Sequence, residues 1–494
     1  MTIPERSLTS LAAAVLQPGF VGTTPPPWIC RWLGDGLGSV VLFARNVVDP
    51  GQVTALTAAL RAERPDVLVA IDEEAGDVTR IESGRGSSRP GNLALGAVDD
   101  PALTEEVARD LGADLAALGV TLDYAPDADV NSDPNNPVIG VRSFGAEPAL
   151  VARHTAAWVR GLQSGGVAAC AKHFPGHGDT RIDSHHDLPR IVGDRPRLDA
   201  VELAPFRAAV AAGVQAVMTG HLLVPALDPE LPATLSGRIL TGLLRDELGF
   251  SGVIVTDAME MRAVTDRYGF AGAAVRALAA GADAICVGGE RADEDAAQQL
   301  RDAIVAAVVA GTLPEERLTE AAKRVGQLAA WAVAARTDRP PRASSGVGLA
   351  AARRAVRVTT TRAGQGALPL VGPAHVVEFE PPRNIAIGPE TPWGLAGPLT
   401  DLLPGTTAVR YAEVDVPGDP TAGAVGRRVV LVVRDLHRHP WMRAAVDRAL
   451  AVRPDAVVVE LGVPELVAGR VHIATHGATR AAGVAAAEML TGAP

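Results

Sequence analysis

Residues 172–189 read KHFPGHGDTRIDSHHDLP and gather four histidines and three aspartates around two glycines and two prolines. The whole chain has only 11 histidines, so a concentration of this kind asks for a chemical account. Three accounts compete: a metal site, an acid/base device, or a polar loop without chemistry. Asp183-Ser184-His185 puts a carboxylate two residues before an imidazole, and on a locally extended chain residues i and i+2 point the same way. Such a carboxylate fixes the tautomer of the imidazole and stabilises its protonated form. Because histidine titrates near neutral pH, the pair can donate a proton and take it back. For a metal, His173, His177, Asp179, Asp183, His185, His186 and Asp187 offer enough ligands for zinc. However, HFPGH holds its histidines four apart across a Pro-Gly turn instead of on one helical face, and no CxxC or HxH accompanies it. We expect no metal and no cofactor.

Other groups stand out by position. Lys172 and Lys323 are the only lysines among 46 basic residues. A compact point charge kept at Lys172 in so arginine-rich a chain points to a ligand contact that a planar fork does not suit. Asp257, in VIVTDAMEM, is followed three residues later by Glu260, which resembles a capping box. Its place at the end of an apolar run suits a functional carboxylate equally well. Arg142, in NNPVIGVRSFG, is marked only by its position in a loop.

The elements that must carry these groups are short apolar runs, most of them followed by Ala/Leu-rich helical stretches: SVVLFARN, VLVAIDEE, VTLDYAPDADV, VAACAKHF, QAVMTGH, VIVTDAMEM and DAICVGGE. Runs buried on both faces with helices between them are the mark of a parallel sheet. Arg45, Asp72, Asp127, Asp129, Lys172, His173, His221, Asp257 and Glu290 all fall at the C-terminal ends of these runs. In a (β/α)8 TIM-like barrel those ends meet on one face, where catalytic residues collect, whereas a doubly wound sheet uses fewer of them. The pattern predicts a barrel over 1–335, with seven strands clear and the eighth not evident. A Pro/Ser/Gly/Arg-rich linker is expected over 336–360, and a smaller α/β domain over 361–494.

Composition bounds the partners. A formal net charge of −11 with no basic stripe excludes a nucleic-acid binder. Cys30, Cys170 and Cys286 are too few and too scattered for a disulfide framework or a zinc knuckle. The opening MTIPERSLTSLAAAVLQPGF lacks a basic leader region and a membrane-length apolar run, so a cytoplasmic protein with no membrane partner is expected, as a monomer or homodimer.

Taken together, GLGSVVLFARN, DPNNPVIGVRSFG, KHFPGHGDT, DSHHDLP, VMTGHLLVPALDPELPATLS and VTDAMEM, in that order over about residues 14–335, resemble the family 3 glycoside hydrolases in their NagZ-type β-N-acetylglucosaminidase (β-hexosaminidase) branch. The resemblance implies a barrel followed by an αβα sandwich. It makes Asp257 the nucleophile of a retaining mechanism and His185, polarised by Asp183, the general acid/base. Asp72, Arg142, Lys172 and His173 fall on positions that bind the N-acetylglucosamine unit, and His177 and His221 on positions around the pocket. The implied substrate is a small carbohydrate, a glycoside or muropeptide carrying terminal β-linked N-acetylglucosamine, with cell-wall recycling as the setting. The familiar DQEGGRV stands here as DEEAGDV, and APDADV carries Asp127 where an apolar residue is usual. A phosphorylase, a glucosidase-like relative and a metal-dependent barrel hydrolase are the alternatives.

Overall fold

The structure, a computed structural model, describes residues 7–180, 188–336, 346–382, 384, 386–388 and 390–493. They form two compact units. One takes the described residues of 1–74, 104–139 and 146–344, the other those of 75–103, 140–145 and 345–494.

In the first unit the strands are β1 (Leu16–Pro18), β2 (Ser39–Leu42), β3 (Leu68–Ile71), β4 (Leu122–Asp123), β5 (Ala168–Phe174), β6 (Ala216–Thr219), β7 (Val253–Thr256) and β8 (Ile285–Val287). β2 to β7 pair in parallel in sequence order, and β1 pairs with β8. Parallel bridges Gly19↔Val41 and Val255↔Ala284 join β1 to β2 and β7 to β8, so the pairing returns to its start. The strand missing from the sequence pattern is thus the first. Its three residues end at a proline, too short a run to stand out.

Alternate strand residues fill the interior: Leu68 and Ala70, Ala168 and Cys170, Ala216 and Met218, Val253 and Val255, with Tyr124 and Cys286. This is the period of two expected when successive side chains leave a strand on opposite faces. The helices between strands begin where the sequence offers a cap. Asp49 accepts the Gln52 N–H before Pro50–Glu63, and Glu147 accepts the Leu150 N–H before Pro148–Gly165, each with proline at the first turn. At the end of the strands remote from the candidate residues, buried Asp283 pairs with Arg245, with Arg317 at 2.5 Å and with Arg324 at 3.3 Å. Burial holds the Arg245 guanidinium down to about 10.

The second unit is built on β9 (Arg357–Thr360), β10 (Ala374–Phe379), β11 (Thr407–Tyr411), β12 (Arg428–Val433), β13 (Val457–Glu460) and β14 (Val471–Ala474). Their order is β11-β10-β12-β13-β14-β9, parallel except for β9. Val376, Val430, Val432, Val457 and Val459 face one apolar core, with Leu399 and Ala485 from helices Ala396–Leu402 and Arg480–Thr491. Val377, Val429, Leu431, Val433 and Val458 face the other, with Met442, Ala445 and Ala449 from Pro440–Val452. Both faces are covered, which is why these strands read as unbroken valine runs.

Two features differ from the expected layout. Within the segment read as a linker, Val347–Ala355 is a helix and β9 a strand. The buried Val347, Gly348, Ala351, Ala352 and Ala355 form one helical face, a signal masked by the polar residues preceding it. In addition, 75–103 and 140–145 lie with the second unit. Arg354 pairs with Asp100 at 2.9 Å, Ala481 N–H donates to the Ser87 carbonyl at 3.2 Å, and Arg80 donates to the Ala386 carbonyl at 2.9 Å.

Candidate active site

β5 delivers Lys172 and His173 in succession, joined by a cis peptide bond. The Lys172 ammonium bonds Asp72, just past β3, and lies 2.6 Å from Glu74. Lys172 and Glu74 are almost wholly buried, whereas the Asp72 side chain keeps 26% of its exposure. Two acids facing one buried ammonium offset part of the desolvation cost of each charge. The loop between them is fixed at Glu73, whose N–H donates to Asp123 at 2.9 Å. Burial, opposed in part by this bond, pushes the Asp123 carboxyl well above the usual carboxylate range.

His173 takes a different partner. Its Nδ1 lies 2.8 Å from Asp129, and the same carboxylate accepts the backbone N–H of His173 at 3.2 Å and of His177 at 2.6 Å. A ring nitrogen facing a carboxylate at this distance carries the proton, which leaves Nε2 as the other face of the imidazole. His177, also buried, sets its Nδ1 2.8 Å from the Thr180 hydroxyl, and Asn136 donates to its carbonyl at 2.9 Å. Gly178 is required here: a Cβ would stand 1.6 Å from the Val130 carbonyl.

Asp127, Asp129 and His173 each offer a ligand atom within 4.8 Å of the others, the one such group among the described residues. The Asp129 carboxylate accepts two backbone N–H groups and a ring N–H, so the arrangement acts as a hydrogen-bond hub that orients His173 and His177.

Asp257 follows β7 and is partly exposed. Its N–H donates to the Thr219 carbonyl at 3.2 Å, and its carboxylate accepts the Ala258 N–H at 2.8 Å. It is no helix cap: the next helix, Arg262–Tyr268, is preceded by Met261, and Glu260 accepts the N–H groups of Gly288 and Glu290. Gly220, at the end of β6, donates to the Phe174 carbonyl at 2.8 Å, so the ends of β5, β6 and β7 are laced together. The buried Cys286 thiol records the crowding of charge: burial raises its pKa most, then the negative charges of Glu260 and Asp257, with a smaller share from Asp72.

His221 is wholly buried, with Nδ1 2.9 Å from the Thr234 hydroxyl and Nε2 3.1 Å from the carbonyl of Ala258, the neighbour of Asp257. Arg45 gives its guanidinium to the carbonyls of Phe20, Gly288 and Gly289, a latch across β1, β2 and β8. Arg142 is carried by the second unit, buried in a turn at Gly140–Arg142. Asp183 and His185 lie outside the described residues. Glu74 and Asn136 are not marked by local spacing, and Asp129 is marked only as a strand-end residue. Only the acidic run in DEEAGDV hinted at the first, because a partner 98 positions away is invisible to local spacing.

A parallel α/β unit with carboxylates, a buried lysine and histidines at the C-terminal ends of its strands places these groups where parallel α/β enzymes carry their chemistry. Comparison with known proteins is specific. Residues 32–328 match the model for the glycosyl hydrolase family 3 N-terminal domain, and the chain belongs to glycosyl hydrolase family 3. It is 36% identical over 331 residues to β-hexosaminidase A of Pseudoalteromonas piscicida, covering 62% of this chain and 55% of the relative, so it spans little more than half of that protein. A β-hexosaminidase of Stenotrophomonas maltophilia is 40% identical over 280 residues, 54% of this chain and 82% of its own. Among solved structures, a family 3 β-N-acetylglucosaminidase from Paenibacillus sp. str. FPU-7 superposes with a TM-score of 0.86 at 36% identity, over 99% of this chain and 97% of that one.

Proposed function

We propose that the chain is a retaining exo-β-N-acetylglucosaminidase that removes terminal β-linked N-acetylglucosamine through a covalent glycosyl-enzyme. The reading rests on the Lys172 ammonium shared by Asp72 and Glu74 at the strand ends that also present Asp257. Asp72, anchored by Lys172 yet still part exposed, can accept hydrogen bonds from sugar hydroxyls. His173 adds a contact to the sugar, and Arg142 is assigned a sugar contact on the family resemblance, while His177 and His221 support the loops around them.

Asp257, partly exposed, attacks the anomeric carbon. His185, polarised by Asp183, protonates the leaving oxygen and later takes a proton from the attacking water. An imidazole in this place does the work of the second carboxylate that most retaining enzymes use. We read the first unit as a (β/α)8 barrel and the second as an αβα sandwich. The likeness to the Pseudoalteromonas, Stenotrophomonas and Paenibacillus proteins supports the sugar assigned. Cell-wall fragments are the substrates we favour.

The test is a panel of aryl β-glycosides (N-acetylglucosaminide, glucoside, xyloside) with wild type and Asp257→Ala, with and without phosphate. The N-acetylglucosaminide is hydrolysed with retained anomeric configuration, and phosphate changes neither rate nor product. Cleavage of the glucoside or xyloside alone, or release of a sugar 1-phosphate, overturns the reading.

A further inference from the structure

We propose that Arg434 is a positioning residue for substrate binding: through Asp77 it fixes the segment that carries Arg142. The inference rests on the role given to Arg142 in the proposed function, and every group in it belongs to the second unit.

Arg142 closes the short turn Gly140–Arg142, and its carbonyl accepts the side-chain amide of Asn92 at 2.7 Å. Asn92 is the first residue of helix Asn92–Val98, whose N-cap is Gly91. Gly91 is pressed against Gly76: a Cβ on Gly76 would stand 2.5 Å from the Gly91 Cα. Ala75 and Gly76 both hold left-handed backbone, φ 55° and 59°, so the chain turns sharply here and brings Asp77 inward.

Asp77 is buried, with one oxygen hydrogen-bonded and the other in an ion pair. One accepts the Ala478 N–H at 2.8 Å, ahead of helix Arg480–Thr491, and the other lies 2.6 Å from the Arg434 guanidinium just past β12. The Arg434 side chain is only 13% exposed, so the pair is shielded from water. Removing one partner of a buried ion pair leaves the other charge to protonate, to find water or to move. Burial already pushes the Asp77 carboxyl up, against the pull of Arg434. Any movement of Asp77 passes to Gly76, from there to the Gly91 contact, and so to the Asn92 amide that holds Arg142. The Asp that stands in DEEAGDV where the resembling family carries Arg therefore has its counter-charge in this unit.

The full chain carrying Arg434→Met tests this, with 4-nitrophenyl N-acetyl-β-glucosaminide as substrate. KM rises about tenfold while kcat stays within about twofold. A merely destabilised variant loses folded enzyme, which lowers apparent kcat and leaves KM where it was. Arg434→Lys, which keeps the charge, restores most of the lost KM. The combination Arg142→Met with Arg434→Met has the KM of Arg142→Met alone, because the second change acts only through the first. A wild-type KM in Arg434→Met, or full additivity in the double variant, overturns the inference while leaving the proposed function standing. If Arg142→Met itself leaves KM unchanged, the sugar-binding role of Arg142 is wrong and the inference falls with it.

Discussion

The Lys172 ammonium lies 2.6 Å from the Glu74 carboxylate, and both side chains are almost wholly buried, 2% and 3% exposed. With Asp72 bonded to the same nitrogen, one cation on β5 organises two acids that follow β3, with β4 lying between the two strands. Lys172→Met removes the charge they share, and a loss of one partner from a buried ion pair costs about 3–5 kcal/mol. Lys172→Arg keeps the charge but brings a larger planar group into a site shaped for an ammonium. Both variants should melt lower than wild type and bind substrate more weakly, as thermal unfolding and KM will show. An arginine variant with wild-type KM and melting temperature would mean that only the sign of the charge matters.

Asp257 projects from the end of β7 with its own backbone bonded to Thr219 and its carboxylate on the Ala258 N–H. Asp257→Ala keeps the backbone bond to Thr219 and removes the carboxylate proposed to attack the sugar, together with its bond to the Ala258 N–H. Turnover of the N-acetylglucosaminide should fall roughly 10⁴-fold with an unchanged melting curve. His185→Ala should behave differently: turnover of an alkyl glycoside collapses, while a 4-nitrophenyl glycoside, whose leaving group needs little protonation, keeps much more of its rate. Equal losses on both substrates in His185→Ala would remove that residue from the acid/base role.

His221 is joined through Nε2 to the Ala258 carbonyl and through Nδ1 to Thr234, with no exposed surface. Its effect on the reaction should therefore pass through the loop that bears Asp257. His221→Phe fills the space and removes both bonds, leaving the part-buried Ala258 carbonyl without its imidazole partner. Steady-state kinetics should show kcat falling more than KM rises. A variant with normal kcat and a raised KM would instead put the imidazole on the sugar.

Much of this layout is legible locally, because strands buried on both faces write themselves as apolar runs with polar groups at one end. The runs locate β2 to β8, and Asp72, Lys172, His173 and Asp257 do stand at or just past strand ends. The limits are physical too. In VTLDYAPDADV only Leu122–Asp123 is strand, since Pro126 has no N–H to give a ladder and pairing resumes only as a bridge at Asp127. The affiliation of 75–103 leaves no compositional trace: its anchor Asp77 meets the Ala478 N–H across 401 positions of sequence. Glu74 escapes local spacing because its burial depends on Lys172, which only the folded unit brings to it.

His476 makes the second unit sensitive to acid. It holds left-handed backbone, φ 60°, at the turn between β14 and helix Arg480–Thr491, and its Nδ1 is buried without a partner. Burial, aided by the Arg357 charge, depresses the imidazole to about 4 from an ordinary 6.5, with a backbone hydrogen bond at Ala355 opposing. A depressed imidazole is neutral in the folded chain where the unfolded chain would bind a proton. Its contribution to stability is therefore complete above about pH 6.5 and is lost as pH falls toward 4, a total of roughly 3 kcal/mol. His476→Asn keeps a residue that tolerates the left-handed backbone and cannot titrate. Denaturant unfolding of both chains at pH 7.5 and pH 4.5 should show the wild type losing more stability than the variant, by up to that amount. Parallel losses in the two chains would place the acid sensitivity elsewhere.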